Sequence, residues 1–265
     1  MLEKQRFYVE NLFYIENFLL CFNHQKLIYF QPIYLYDTNI IQIMSKINHI
    51  YFYDDDQSNI RAVKRRLGDK VTCVHIPRRV SMNLNLDAYQ TNVGDYINGI
   101  PLAEIQRIGF DASGAPITDA LFAFDWDETL SCLNGVSYPP VGPGQREVSF
   151  DDERALKFWP AGLEGYLASI MGGPERLAAI REMIDRILAN NNRVVILTNN
   201  ESASVYGRRG TRPLFIEMVQ KLHPRLALLS SYTNYPTMEV DEETGEFAYA
   251  STKGKVLGDY IENGV

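Results

Sequence analysis

A short apolar run that ends abruptly in acids constrains the fold of this chain most. Leu121-Phe-Ala-Phe124 leads directly into Asp125, and Asp127 and Thr129 follow at alternate positions. A run of this length is typical of a buried central strand in a parallel sheet. Open α/β sheets bind ligands at the carboxyl ends of their strands, so the two carboxylates are expected at a binding edge. On the Asp-x-Asp pattern alone, a solvated acidic turn is an equal alternative.

Similar apolar runs recur along the chain and alternate with helical patterns. Residues 57–67 have apolar residues on one helical face, and 174–189 and 213–222 show the same periodicity. Further strands are expected at residues 47–56, 71–76, 193–198 and 226–230, with a hairpin over 238–249 and a last helix from Lys253. This alternation predicts an α/β domain with a doubly wound, Rossmann-like parallel sheet.

The composition narrows the classes of function. The chain has 265 residues, enough for one large α/β domain or two small ones, and its net charge of −7 disfavours a general nucleic-acid binder. Three widely spaced cysteines argue against a disulfide framework or a zinc site. No apolar run reaches membrane-spanning length and no clean signal peptide opens the chain, so a cytoplasmic location is expected.

The first 45 residues differ in composition from the rest, since they are rich in aromatic residues and contain no Gly or Ala. We interpret residues 1–45 as an amino-terminal extension that packs on the main domain, with a partner-docking arm as the alternative. Residues 46–265 form the predicted core domain, and 130–173 form a small flap at most.

The strand ends carry residue types that suit phosphoryl transfer. They are Asp54, Asp55, Asp125, Asp127 and Thr198, and Lys253 opens the last helix. An aspartate can attack phosphorus and form an acyl-phosphate, and a second acid can move the protons. Mg²⁺ prefers carboxylate oxygens, while a hydroxyl and an ammonium can hold phosphate oxygens. Arg78 and Arg79, which follow the strand at 71–76, are expected to be solvated, with contact to an anion as the alternative.

At these residues the chain resembles the haloacid dehalogenase-like (HAD) superfamily of phosphohydrolases. The resemblance lies in Asp125-Trp-Asp-Glu-Thr129, in the apolar strand ending at Thr198, in Lys253-Gly254 and in the segment 52–60. It implies that Asp125 is the nucleophile and that Asp127 is the general acid/base and also a metal ligand through its backbone carbonyl. It further implies two phosphate binders, Thr198 and Lys253, and a Mg²⁺ site completed by Asp54 and Asp55. We favour Asp55 as the direct ligand, and Lys255 competes with Lys253 for the lysine role.

The order of the segments departs from the family. There the Asp-Asp strand follows the lysine helix, whereas here residues 47–56 precede Asp125. Joining the end of the chain to Ile47 on paper restores the family order, so we predict a circular permutation, which compact domains with neighbouring termini tolerate. The rival interpretation is a truncated member with acids at 54–56 by chance, and then the early strand would not lie beside the Asp125 strand.

The resemblance implies a Mg²⁺-dependent phosphatase, and the lack of a large cap favours a bulky phosphorylated substrate such as a phosphoprotein. The negative charge makes nucleic acid a less favoured partner. Thr129, Asn199, Arg208 and Arg209 are candidate substrate contacts, with a solvated basic loop as the alternative for the arginines. The alternatives for function are a catalytically silent phosphate-recognising or partner-binding module, and a phosphotransferase to an acceptor other than water.

Overall fold

The computed structural model forms an α/β fold around one parallel sheet. It describes residues 47–78, 98–133, 153, 156, 160–205, 211–233, 238–240, 245, 247–249 and 251–263. The predicted extension (1–45), Arg208, Arg209 and most of the first half of the predicted flap lie outside the described residues.

Strands and helices alternate along the described chain. In order they are β1 (His49–Asp54), α1 (Gln57–Leu67), β2 (Val71–His75), α2 (Leu102–Ile105), β3 (Ala120–Phe124), α3 (Gly162–Ile170), α4 (Pro174–Ala189), β4 (Arg193–Thr198), α5 (Thr211–Leu222), β5 (Ala227–Ser230), β6 (Met238–Val240), β7 (Phe247–Tyr249) and α6 (Lys253–Asn263). An irregular helical turn, Trp126–Leu130, follows β3 directly. The short strands β6 and β7 pair with each other as an antiparallel hairpin.

The strand that leads into Asp125, β3, lies at the centre of the sheet. The strand order is β2-β1-β3-β4-β5, and every neighbouring pair is parallel. The register aligns Phe124 of β3 with Tyr53 of β1 and with Ile196 of β4. Parallel strands end at one edge of the sheet, so the residues that follow β1, β3 and β4 meet there.

Side chains of β3 alternate between two separate cores. Phe122 and Phe124 pack in the larger one, to which α3, α4 and α5 also contribute. Leu121 and Ala123 belong to a second core that includes Val63 of α1 and Leu257 of α6. Successive residues of a strand face opposite sides, so helices on both faces explain why all five residues of β3 are buried. The predicted α/β parallel sheet is confirmed.

The helices α1 and α6 pack closely at a glycine. A Cβ atom placed on Gly254 would lie 2.9 Å from the carbonyl oxygen of Ala62 in α1. The absence of a side chain at Gly254 therefore lets the start of α6 approach α1 and the end of β1. This close approach positions the preceding residue, Lys253.

Within the described residues, no helix is both long and apolar enough to span a membrane.

Candidate functional site

Three carboxylates converge at the carboxyl edge of the sheet. Asp54 is the last residue of β1 and Asp55 follows it, and Asp125 follows the neighbouring strand β3. One oxygen from each of the three lies within 4.8 Å of the others, and all three residues are buried. The parallel pairing of β1 with β3 therefore unites acids that lie about seventy positions apart in the sequence.

A buried lysine joins two of these acids. Lys253 Nζ lies 2.6 Å from Asp54 Oδ2 and 2.7 Å from Asp125 Oδ1, and the lysine is only 1% exposed. Burial by itself would lower the pKa of Lys253, but the two adjacent carboxylates outweigh it and raise that pKa. Lys253 therefore carries a positive charge at the carboxyl edge of the sheet.

The chain entering α6 is anchored to the strand ends. The Thr252 hydroxyl donates to the carbonyl of Ser231, and the Ser231 backbone N–H donates to the carbonyl of Thr198 at 2.8 Å. The Lys253 backbone N–H contacts Ser251 Oγ at 3.4 Å. These contacts fix the helix start relative to β4 and β5. Lys255, two residues on, is exposed to solvent.

The Asp54 carboxylate is held from several directions. Asn59 Nδ2 donates to both of its oxygens, at 3.0 and 3.2 Å, and the Asp56 backbone N–H donates to Oδ1 at 2.8 Å. With Lys253 on Oδ2, both oxygens of Asp54 have partners. Asp54 is thereby suited to orient Lys253.

Burial raises the pKa of both acids beside the lysine, Asp54 and Asp125. Desolvation raises the pKa of Asp54, although Lys253 and the hydrogen bonds from Asn59 and Asp56 oppose it. Desolvation likewise raises the pKa of Asp125 well above its usual range, with Lys253 opposing and Asp54 and Asp127 reinforcing the rise. Neighbouring negative charge and low dielectric thus both favour an added cation.

Asp55 faces a second cation. Arg78 Nε donates to Asp55 Oδ2 at 2.5 Å and lies 2.9 Å from Glu128 Oε2. On its other oxygen, Asp55 is contacted by the Thr129 hydroxyl at 3.4 Å. Glu128 also accepts a hydrogen bond from Asn98 Nδ2 at 2.8 Å. Two turns that follow neighbouring strands are therefore linked through one guanidinium.

Glu128 adopts an unusual backbone conformation for its residue type. Its φ is +53°, in the left-handed region that non-glycine residues rarely occupy, and its side chain is buried. Burial raises the pKa of Glu128, while Arg78 lowers it and Asp55 raises it further. Such conformations persist where surrounding contacts hold them, and here Arg78 and Asn98 supply those contacts.

The second acid of the Asp-x-Asp pair points to the neighbouring strand end. Asp127 is half-buried and accepts a hydrogen bond from Asn200 Nδ2 at 3.1 Å. The Asn200 backbone N–H donates to Thr198 Oγ1, also at 3.1 Å. Asn199 is exposed between them. Asn200, which the sequence analysis did not single out, thus connects Asp127 with Thr198.

A buried arginine stabilises the loop after the Asp-x-Asp turn. Arg176, in the first turn of α4, donates to the carbonyls of Leu130 and Met171 at 2.7 and 2.8 Å. It also donates to the carbonyl of Ile100 at 3.0 and 3.1 Å. Beside it, Gly99 has a φ of +91°, and a Cβ there would lie 2.9 Å from two loop carbonyls. Arg176 and this close approach hold the loop against residues 98–100.

Most of the predicted site residues lie together at the carboxyl edge of the sheet. Some touch each other directly and others are linked through a third residue. Asp54, Asp125 and Lys253 touch directly, Thr129 reaches Asp55, and Asp127 reaches Thr198 through Asn200. Arg212, in the first turn of α5, donates to the Ala203 carbonyl.

Sequence reasoning missed Arg78, Glu128, Asn98, Asn59 and Asn200 as parts of the site. Glu128 lies inside the segment Asp125-Trp-Asp-Glu-Thr129, and Asn59 follows Asp54 and Asp55 at a short spacing. The spacing of Glu128 and Asn59 from the predicted acids could therefore have identified them as site residues. Arg78 and Asn98 carry no comparable local signal, because their roles depend on contacts distant in sequence.

The three converging carboxylates can hold a metal ion. Hard divalent cations such as Mg²⁺ and Ca²⁺ prefer carboxylate oxygens, and the site offers this ligand type. Asp54, Asp55, Asp125 and Glu128 face two cations, Lys253 and Arg78, which leaves two uncompensated negative charges when all are ionised. A divalent cation would balance that excess.

Comparison with known proteins gives no family assignment. No protein-family model matches the chain, and no curated protein matches it significantly. Function must therefore be inferred from the residues and their geometry.

Proposed function

We propose that this chain is a Mg²⁺-dependent phosphohydrolase, similar to the HAD superfamily, that acts through an aspartyl-phosphate. One observation carries the proposal. Lys253 Nζ lies within 2.7 Å of Asp125 and 2.6 Å of Asp54, although Lys253 and Asp54 are 199 positions apart. A buried ammonium between a candidate nucleophile and an acidic strand end suits the binding of phosphate oxygens beside that nucleophile.

In the first step, a carboxylate oxygen of Asp125 attacks phosphorus and the bond from phosphorus to the ester oxygen breaks. Asp127 donates a proton to that departing oxygen, so the alcohol or phenol leaves neutral. Lys253 and Thr198 bind the non-bridging phosphate oxygens. The product of this step is a phosphoryl group bound covalently to Asp125.

In the second step, Asp127 accepts a proton from a water molecule, whose oxygen attacks the same phosphorus. The bond between phosphorus and Asp125 breaks, which releases inorganic phosphate and regenerates the carboxylate. Asn200 orients Asp127 for both transfers through its 3.1 Å hydrogen bond.

The metal would be held by Asp125 and Asp55, with the backbone carbonyl of Asp127. Asp54 suits this role less, because Lys253, Asn59 and the Asp56 N–H already engage both of its oxygens. When bound, Mg²⁺ neutralises charge on the phosphate.

A circular permutation accounts for the order of the segments. In its support, β1 pairs directly with β3, contrary to what the truncated-member alternative predicts. The helix that begins at Lys253 packs on α1, which follows β1. Joining the last helix to β1 would therefore connect elements that are already neighbours in space.

The proposed substrate is bulky, such as a phosphoprotein. Between β4 and α6, the described elements are α5, β5 and the short hairpin β6–β7. The helix α3, in the second half of the predicted flap, packs its apolar residues into the larger core. Among the described residues of these two segments there is no separate cap domain, and this supports a phosphate carried by a large molecule.

Hydrolysis of a generic aryl phosphate tests the proposal. The wild-type protein should release the phenol only with Mg²⁺, and EDTA should stop the release. Binding of phosphate without turnover would favour the silent module, and turnover that requires an added alcohol acceptor would favour the phosphotransferase. A panel of phosphopeptides, nucleotides and sugar phosphates would then identify the substrate class.

A further inference from the structure

Two cations at the site each lie between two carboxylates. Lys253 joins Asp54 to Asp125, and Arg78 joins Asp55 to Glu128. The two groups differ in accessibility. The Lys253 side chain is 2% exposed, whereas the Arg78 side chain is 51% exposed. Arg78 can therefore leave its acids and remain hydrated, while Lys253 cannot do so without a larger change in the core.

The partners of Arg78 are themselves buried. The side chains of Asp55 and Glu128 are 3% and 4% exposed. Arg78 Nε lies 2.5 Å from Asp55 Oδ2 and 2.9 Å from Glu128 Oε2, so one guanidinium pairs with carboxylates that follow two neighbouring strands. Removal of the guanidinium would leave two buried acids with a strong preference for another cation.

We propose that Arg78 competes with the divalent cation for Asp55, so that binding of the ion weakens or displaces the contact between Arg78 and Asp55. This inference rests on the proposed function only for the existence of the metal site. Asp55 belongs to the three-acid cluster, and Arg78 occupies one of its two oxygens. A guanidinium both blocks that oxygen and repels a second cation nearby.

The competition gives Arg78 a defined effect on metal affinity. A residue that only oriented Asp55 would increase affinity for the ion, and its loss would weaken binding. Loss of a competing cation would strengthen metal binding, because it frees a carboxylate oxygen and removes a repelling charge. The direction of the change in affinity therefore distinguishes the two roles.

Titration with Mn²⁺ alone provides the test. Mn²⁺ has the charge of Mg²⁺ and accepts the same oxygen ligands, and electron paramagnetic resonance counts the free ion directly. The full chain would be compared as wild type, Arg78→Met, Arg78→Gln, Arg78→Lys and Arg181→Met. Arg181 is the matched control, since its ion pair is with Glu164 and its other bonds are to the carbonyls of Lys221 and Leu222.

Arg78→Met and Arg78→Gln should each bind Mn²⁺ about tenfold more tightly than wild type or better, because both remove the charge. The affinity of Arg78→Lys for Mn²⁺ should stay closer to that of the wild type, and the affinity of Arg181→Met should equal it. Thermal melts would show which variants are folded. One folded variant of the two that lack the charge, Arg78→Met or Arg78→Gln, is enough for the test. Equal or weaker binding by a folded neutral variant would overturn the competition while leaving the metal site intact. Absence of binding in every protein would overturn the metal site and this inference together.

Discussion

The side-chain nitrogen of Lys253 lies 2.6 Å from a carboxylate oxygen of Asp54, a residue near the opposite end of the described chain. The same nitrogen is 2.7 Å from Asp125. This double contact makes Lys253 a structural residue as well as a candidate phosphate binder, and its removal has a measurable consequence for stability.

Lys253→Met should destabilise the metal-free protein by about 3–5 kcal/mol, because it leaves two buried carboxylates without their cation. The matched control is Lys255→Met, which removes an exposed lysine from the same helix and should change stability by less than about 0.5 kcal/mol. Urea unfolding at neutral pH measures both. Equal stabilities of the two variants would show that the ion pairs of Lys253 contribute nothing.

The two glycines of α6 should respond in opposite directions to alanine. At Gly254 the added Cβ would lie 2.9 Å from the Ala62 carbonyl oxygen, so Gly254→Ala should cost about 1–3 kcal/mol as the helices move apart. At Gly258 the nearest atom would be 3.6 Å away, and Gly258→Ala should gain up to about 1 kcal/mol from helix propensity. Thermal unfolding of both variants compares the two positions. A tolerated Gly254→Ala would mean that α1 and α6 pack less tightly.

Arg176→Met should destabilise the loop after the Asp-x-Asp turn. The substitution leaves the buried carbonyls of Leu130, Met171 and Ile100 without a donor, at a cost of about 1–3 kcal/mol for each unsatisfied group. Hydrogen exchange should become faster in the segments 98–100 and 129–133 before it does in β3. Unchanged exchange in those segments, compared with the Arg181→Met variant, would contradict this role for Arg176.

The sequence could predict the sheet and its edge because strong local patterns specify them. The expected bounds of α4 and β4, residues 174–189 and 193–198, agree with the structure. In both, the apolar residues recur with a clear period, and burial follows from that period. Parallel strands then bring their ends together, which is why Asp54, Asp125 and Thr198 could be grouped before any coordinates.

Contacts between distant side chains could not be predicted in the same way. Arg78 was expected to be solvated, with contact to an anion as the alternative. Its side chain is 51% exposed, and its Nε reaches two buried acids that follow other strands. The choice between Lys253 and Lys255 likewise depends on packing, since the approach of Gly254 to α1 sets which lysine faces inward. The helix α3 was missed although its buried residues recur at helical spacing, at Leu163, Tyr166, Leu167 and Ile170, so the sequence did carry a signal for it.

Asp125 should become phosphorylated during turnover. Rapid acid quench of the wild-type protein with Mg²⁺ and an aryl phosphate, followed by peptide mass spectrometry, tests it directly. We expect the mass of one phosphoryl group on the peptide containing Asp125, lost on treatment with hydroxylamine, and neither adduct nor turnover in a folded Asp125→Asn variant. Continued hydrolysis by Asp125→Asn, or turnover of the wild type without any adduct on that peptide, would contradict the account.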